Sequence, residues 1–164
     1  MSDQEIRAAA TRVLDRARGR GLKVATAESC TGGLVAGALT DIAGSSDVVD
    51  CGFVTYSDKA KRLFLGVPAA VLGAHGAVSR ETAEAMAAGA LKQSGADLAV
   101  AITGVAGPGG GSKEKPVGLV HFAAARGDKL VHREERFGDV GRAEVRRLSV
   151  LVALDMLAQL AAED

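Results

Sequence analysis

The chain has 164 residues, with twenty basic side chains balancing twenty acidic ones; the length predicts a single domain over residues 1–164, and the neutral charge excludes a basic footprint for nucleic acid or anionic membrane. Hydrophobic residues make up 48%, enough for a packed core, so the 21 glycines are read as turns and close backbone approaches rather than disorder. Cys30 and Cys51 are too few for a disulfide framework, no apolar leader-like run opens the chain, and no stretch has membrane-spanning length, so the expected location is cytoplasmic.

Residues 3–18 carry Ile6, Ala9, Ala10, Val13, Leu14 and Ala17 at helical spacing, with Gly19 and Gly21 as terminators. A short strand is predicted over 22–27 and a turn over 29–33. A helix over 34–42 follows, with Thr31 as its expected N-cap and Gly44 as its stop. Residues 48–56 read as a strand, and Ser57 or Asp58 caps a short helix carrying Lys59, Lys61, Leu63 and Phe64. The stretch 67–76, broken by Gly73 and Gly76, is expected to be irregular. A helix opens at 79–84, and a strand buried on both faces covers 98–103. The glycine-rich loop 104–118 then leads to two strands, 119–126 and 129–137, joined as a hairpin through Gly127 and Asp128. A closing helix spans 142–162, and it is apolar almost all round between Leu148 and Leu154. Helices alternating with buried strands, plus one hairpin, predict an α/β fold. The expected form is a three-layer α/β/α sandwich with a mixed, mostly parallel sheet.

Ligands of open α/β sheets bind at the carboxyl ends of the strands. That rule singles out residues 28–33, 56–61 and 103–111. In the first segment, Ser29 sits where a strand breaks into a helix. Gly32 and Gly33 there permit close approach, and free amides favour an anion or a developing oxyanion. Cys30, at the same turn, is the rival nucleophile. Histidine is the usual base for a serine, but His121 and His132 fall inside the hairpin strands and His75 in the unassigned stretch. Lysine can serve when burial lowers its pKa, which points to Lys59 or Lys61, beside the sole tyrosine, Tyr56. The loop after Thr103 lacks the last glycine of a dinucleotide fingerprint and is followed by a strand, yet its amides can wrap a small polar ligand. No residues fall at metal-ligand spacing, and no cofactor is expected.

Taken together, TAESCTGG (26–33), GSS (44–46), GFVTYSDKAK (52–61), HGAVS (75–79), TGVAGPGGG (103–111) and KPVG (115–118) resemble the CinA C-terminal domain family, which includes nicotinamide mononucleotide amidases. The likeness extends over about residues 5–160. It implies hydrolysis of the carboxamide of nicotinamide mononucleotide to nicotinate mononucleotide and ammonia. Ser29 would be the nucleophile, Lys61 rather than Lys59 its base, and Tyr56 an auxiliary proton donor or orienter. It also implies substrate contacts from Cys30, Thr31, Gly32, Gly33, Thr103, Gly104 and Gly107, and a phosphate held by Arg142 and Arg146. The segment 137–142 carries one residue more than the family pattern before Arg142. A pyridine nucleotide and a second copy of the chain are the implied partners, without nucleic acid or membrane. A non-catalytic nucleotide-binding module of the same fold is the alternative.

Overall fold

The helical spacing at the start of the chain is realised directly. In the computed structural model, which describes residues 3–164, α1 (Gln4–Gly19) buries Ile6, Ala9, Ala10, Val13, Leu14 and Ala17 and is capped by Asp3. β1 (Val24–Glu28) follows, buried at every position, and it lies between two neighbours in a five-stranded sheet of order β2-β1-β3-β4-β5. Burial on both faces explains why this strand shows no polar alternation.

β2 (Val49–Val54) and β3 (Leu98–Gly104) run parallel to β1 on either side. The hairpin of β4 (Leu119–Arg126) and β5 (Lys129–Arg136) pairs antiparallel, with β4 against β3. The sheet is therefore mixed, with β4 alone opposed in direction to the other four strands.

Side-chain alternation sends Val100, Ile102, Val120 and Phe122 to one face, under α1, α2 (Leu34–Thr40) and α6 (Arg142–Ala162). The other face is lined by Ala25, Ala27, Ala99, Ala101, Ala123 and Ala125. These small side chains let α5 (Arg80–Ser94) lie close to the strands, beside α3 (Asp58–Leu65) and α4 (Ala69–His75). The expected α/β sandwich of three layers results.

Two local expectations need correction. Residues 67–76 are not irregular throughout, because α4 forms over seven of them: the Pro68 carbonyl accepts from the amides of Val71 and Leu72, and Leu72 is buried. Gly73 is tolerated inside this short helix, and Gly76 ends it. Thr31 does not cap α2, since Gly33 occupies the N-cap position without a side-chain bond. The carboxylate of Glu28 substitutes from the end of β1, accepting from the amides of Val35 (2.9 Å) and Ala36 (3.0 Å). A buried carboxylate is a stronger acceptor for the first turn of a helix than a threonine hydroxyl.

No helix among the described residues is long and apolar enough to cross a membrane.

Candidate active site

The register of the three parallel strands decides which residues meet. Glu28 is level with Val54 in β2 and with Ile102 in β3, so β1 and β2 end level while β3 runs on two residues to Gly104 against β4. The amide of Ser29 still donates to the Ile102 carbonyl, and that of Thr55 to the Glu28 carbonyl, each at 2.9 Å. Ser29, Tyr56 and Thr103 consequently emerge together at the carboxyl edge, as the strand-end rule requires.

α3 then returns a side chain to that edge. Ser57 caps it through the amide of Ala60 (3.0 Å), which selects Ser57 over Asp58 as the cap. Its single buried face consists of Lys61 and Leu65, four residues apart. Lys61 is only 1% exposed, and its Nζ lies 2.8 Å from Ser29 Oγ, 2.8 Å from the Thr55 carbonyl and 3.2 Å from the Tyr56 carbonyl. Burial holds the Lys61 ammonium below its ordinary pKa, a shift opposed in part by Asp58. Lys59, on the outer side of the same helix, is exposed.

Ser29 and Lys61 line a cavity of about 280 Å³ together with Cys30, Tyr56, Thr103, Arg142 and, from the glycine-rich loop, residues 104–107, 109 and 110. Thr103 is buried, and its hydroxyl donates to the Ala77 carbonyl (2.8 Å), tying the end of β3 to the entry of α5. Tyr56 is 59% exposed. Its phenol accepts from Arg142 Nη2 at 2.9 Å, while Arg142 Nη1 donates to the Gly107 carbonyl at 2.9 Å. Thus the main chain of Tyr56 touches Lys61, and its ring meets Arg142 at the cavity mouth. Burial pushes the Cys30 thiol up to about 12, so the rival nucleophile stays protonated.

The histidines lie elsewhere. His121 Nδ1 and His132 Nε2 are 3.0 Å apart in the hairpin, and burial holds both imidazoles below their ordinary pKa. A larger open hollow, about 1070 Å³, lies against Gly127, Asp128 and the chain's last residues at the opposite end of the strands; its lining contains no serine, cysteine or histidine.

The described geometry has relatives. The CinA C-terminal domain family matches residues 6–161. This chain belongs to that family. A family member from Escherichia coli strain K12, nicotinamide-nucleotide amidohydrolase PncC, is 50% identical over 161 residues, which is 97% of this chain and 96% of the relative. A CinA-like protein from Synechococcus sp. strain RCC307 is 54% identical over 146 residues; the match takes 88% of this chain but only 35% of that protein. The chain thus corresponds to about a third of some relatives and to nearly the whole of others. The crystal structure of competence/damage inducible protein CihA from Agrobacterium tumefaciens superposes with a TM-score of 0.94 at 57% identity, covering 95% of each chain.

Within this CinA-family domain the remaining motif residues shape the turn after Ser29. The Gly32 amide donates to the Ser29 carbonyl and that of Leu34 to the Thr31 carbonyl, both at 3.0 Å. The amides of Cys30, Thr31 and Gly33 have no backbone acceptor among the described residues. Arg146 donates to the carbonyls of Cys30 (3.1 Å) and Thr31 (3.2 Å), and unlike Arg142 it does not line the cavity. Sequence reasoning missed Glu28, the capping carboxylate, and the two main-chain carbonyls that receive Lys61. An acidic residue at a strand end before a turn and helix was the available signal for Glu28. Carbonyl acceptors leave no trace in a sequence.

Proposed function

We propose that this chain hydrolyses the carboxamide of nicotinamide mononucleotide, giving nicotinate mononucleotide and ammonia, with Ser29 as nucleophile and Lys61 as its base. The observation that carries the reading is the set of three partners around Lys61 Nζ. A neutral amine has two N–H groups and one lone pair; the Thr55 and Tyr56 carbonyls can accept the two protons, which leaves the lone pair facing Ser29 Oγ at 2.8 Å. Burial favours that neutral form.

In the proposed course, Lys61 takes the Ser29 proton as Oγ bonds to the carboxamide carbon. Free amides of the turn stabilise the resulting oxyanion. The tetrahedral intermediate collapses when the Lys61 ammonium returns the proton to the departing nitrogen, so ammonia leaves and an ester on Ser29 remains. Water, deprotonated by Lys61, then attacks the ester carbonyl, and its cleavage releases the carboxylate and restores the hydroxyl. No cofactor enters these steps.

The cavity of about 280 Å³ lies near the lower limit of small-molecule sites, which suits a pyridine ring inside and a ribose phosphate toward the mouth. Arg142, bridging Tyr56 and Gly107 at that mouth, is the side chain placed to meet the phosphate. The E. coli relative named for this amidohydrolase activity supports the substrate class.

A reduced, cytoplasmic setting and a second copy as partner belong to the same reading. Val54, Tyr56, Leu63 and Phe64 are exposed on and between β2 and α3, and sedimentation of the purified chain tests whether a dimer covers them. For the reaction itself, ammonia release is measured across a panel of pyridine and aliphatic amides. Rapid release from nicotinamide mononucleotide alone is expected; calorimetric binding without ammonia would overturn the proposal in favour of a nucleotide-binding module.

A further inference from the structure

Arg146 is half-buried, lies outside the cavity lining, and its hydrogen bonds face the protein. Its Nε and Nη2 donate to the consecutive carbonyls of Cys30 (3.1 Å) and Thr31 (3.2 Å). Gly32 has φ +58, and a Cβ placed there would stand 3.2 Å from Arg146 Nη2. The turn after the nucleophile is therefore moulded on the guanidinium.

We propose that Arg146 is a positioning residue of the oxyanion turn and not a ligand of the substrate's phosphate; the inference rests on the amidase reading. In a trans peptide, carbonyl and amide point in opposite directions. Fixing the Cys30 carbonyl on Arg146 fixes the Thr31 amide on the far side. Fixing the Thr31 carbonyl likewise orients the Gly32 amide, which donates back to the Ser29 carbonyl at 3.0 Å. The planar fork of arginine can hold two adjacent carbonyls in one orientation, which a lysine ammonium on a flexible stem does less rigidly.

The clamp has a second jaw. Glu28 collects the amides of Val35 and Ala36 at 2.9 and 3.0 Å, while Arg146 collects carbonyls from the preceding residues. A carboxylate and a guanidinium thus hold the two sides of the turn that follows Ser29. The positive charge of Arg146 also polarises the two peptide units whose carbonyls it holds. Arg142 differs in kind, being exposed and part of the cavity lining.

The test compares Arg146→Gln, Arg146→Lys and Arg142→Gln in the full chain, with nicotinamide mononucleotide and with the corresponding riboside, which lacks the phosphate. Arg146→Gln is expected to lower kcat about 100-fold with KM held within about threefold, as for loss of an oriented oxyanion donor. Arg146→Lys should restore only part of the rate, and Arg142→Gln should instead raise KM for the phosphorylated substrate. A rise in KM for the mononucleotide alone in Arg146→Gln, with kcat intact, would overturn the assignment. Amide hydrogen exchange over residues 28–36 gives a readout that does not depend on the reaction. At least about tenfold faster exchange confined to this segment is expected in Arg146→Lys, and unchanged exchange overturns the positioning role. Wild-type protein that releases no ammonia while the variant shows the expected exchange would remove the amidase reading and leave the clamp standing.

Discussion

Lys61 Nζ and Ser29 Oγ stand 2.8 Å apart, and different parts of the fold deliver them there. Ser29 inherits its place from the central strand through its amide on Ile102. Lys61 is swung in by α3, whose buried face it shares with Leu65 alone. Neither residue is placed by the element that places the other, so each can be removed with limited damage to its partner's support.

Ser29→Ala is expected to lower ammonia release from nicotinamide mononucleotide by at least about a thousandfold, the order seen when a nucleophile is deleted. A rate within tenfold of wild type would assign the chemistry to another group.

Lys61→Met preserves most of the side chain's bulk and removes the amine proposed as the base. Its rate is expected to fall at least about a hundredfold, whereas Lys59→Ala, at an exposed position, should remain within about twofold of wild type. Equal losses in both variants would contradict the assignment of Lys61.

The pH dependence follows from burial. Desolvation disfavours the Lys61 ammonium, so its folded pKa lies below the ordinary 10.5. kcat/KM should rise with pH as the amine becomes neutral and level off below 10.5. Stability has the same sign: between the folded and unfolded values the unfolded chain binds more protons, so this group contributes stability that increases with pH across that window. Denaturant midpoints measured from pH 7 upward should show the slope, and Lys61→Met should lose it.

Most of the architecture was legible because it rests on short-range chemistry. Ser57 caps α3 as its side chain dictates, and the closing helix over 142–162 coincides with α6. The convergence of 28–33, 56–61 and 103–111 followed from one rule about strand ends. What escaped depends on contacts distant in sequence or on the main chain. Glu28 reaches past five residues to cap α2, displacing the nearer Thr31. Spacing alone left Lys59 and Lys61 equivalent; the direction in which α3 docks separates them. Arginine in the first turns of α6 read as phosphate ligands in both cases, yet Arg146 turns to carbonyls that a sequence does not display.

Glu28 is fully buried and satisfies two helix amides. Glu28→Ala strands both donors and should cost about 2–4 kcal/mol; Glu28→Gln keeps one acceptor oxygen and should cost less. Urea unfolding of the two variants beside wild type checks the order, and an unaltered midpoint in Glu28→Ala would show that water replaces the carboxylate.

Gly89 on α5 faces the main chain of Leu65, and a Cβ at that position would overlap the Leu65 carbonyl. Backbone yields less readily than a side-chain tip, so Gly89→Ala is expected to destabilise by about 1–3 kcal/mol. Its rate should fall further than its global stability implies, because the displaced helix is the one that carries Lys61. Parallel losses of rate and stability would argue against that coupling.

Because α3 is short and buries Lys61 only by being docked, the role proposed for this lysine depends on the helix staying down. An excursion that lifts α3 would admit water around Lys61, remove the desolvation that lowers its pKa and part it from Ser29, even with the strands paired. Catalysis would then fade on any warming that loosens α3 before the sheet melts, and turnover would report the docking of that one helix.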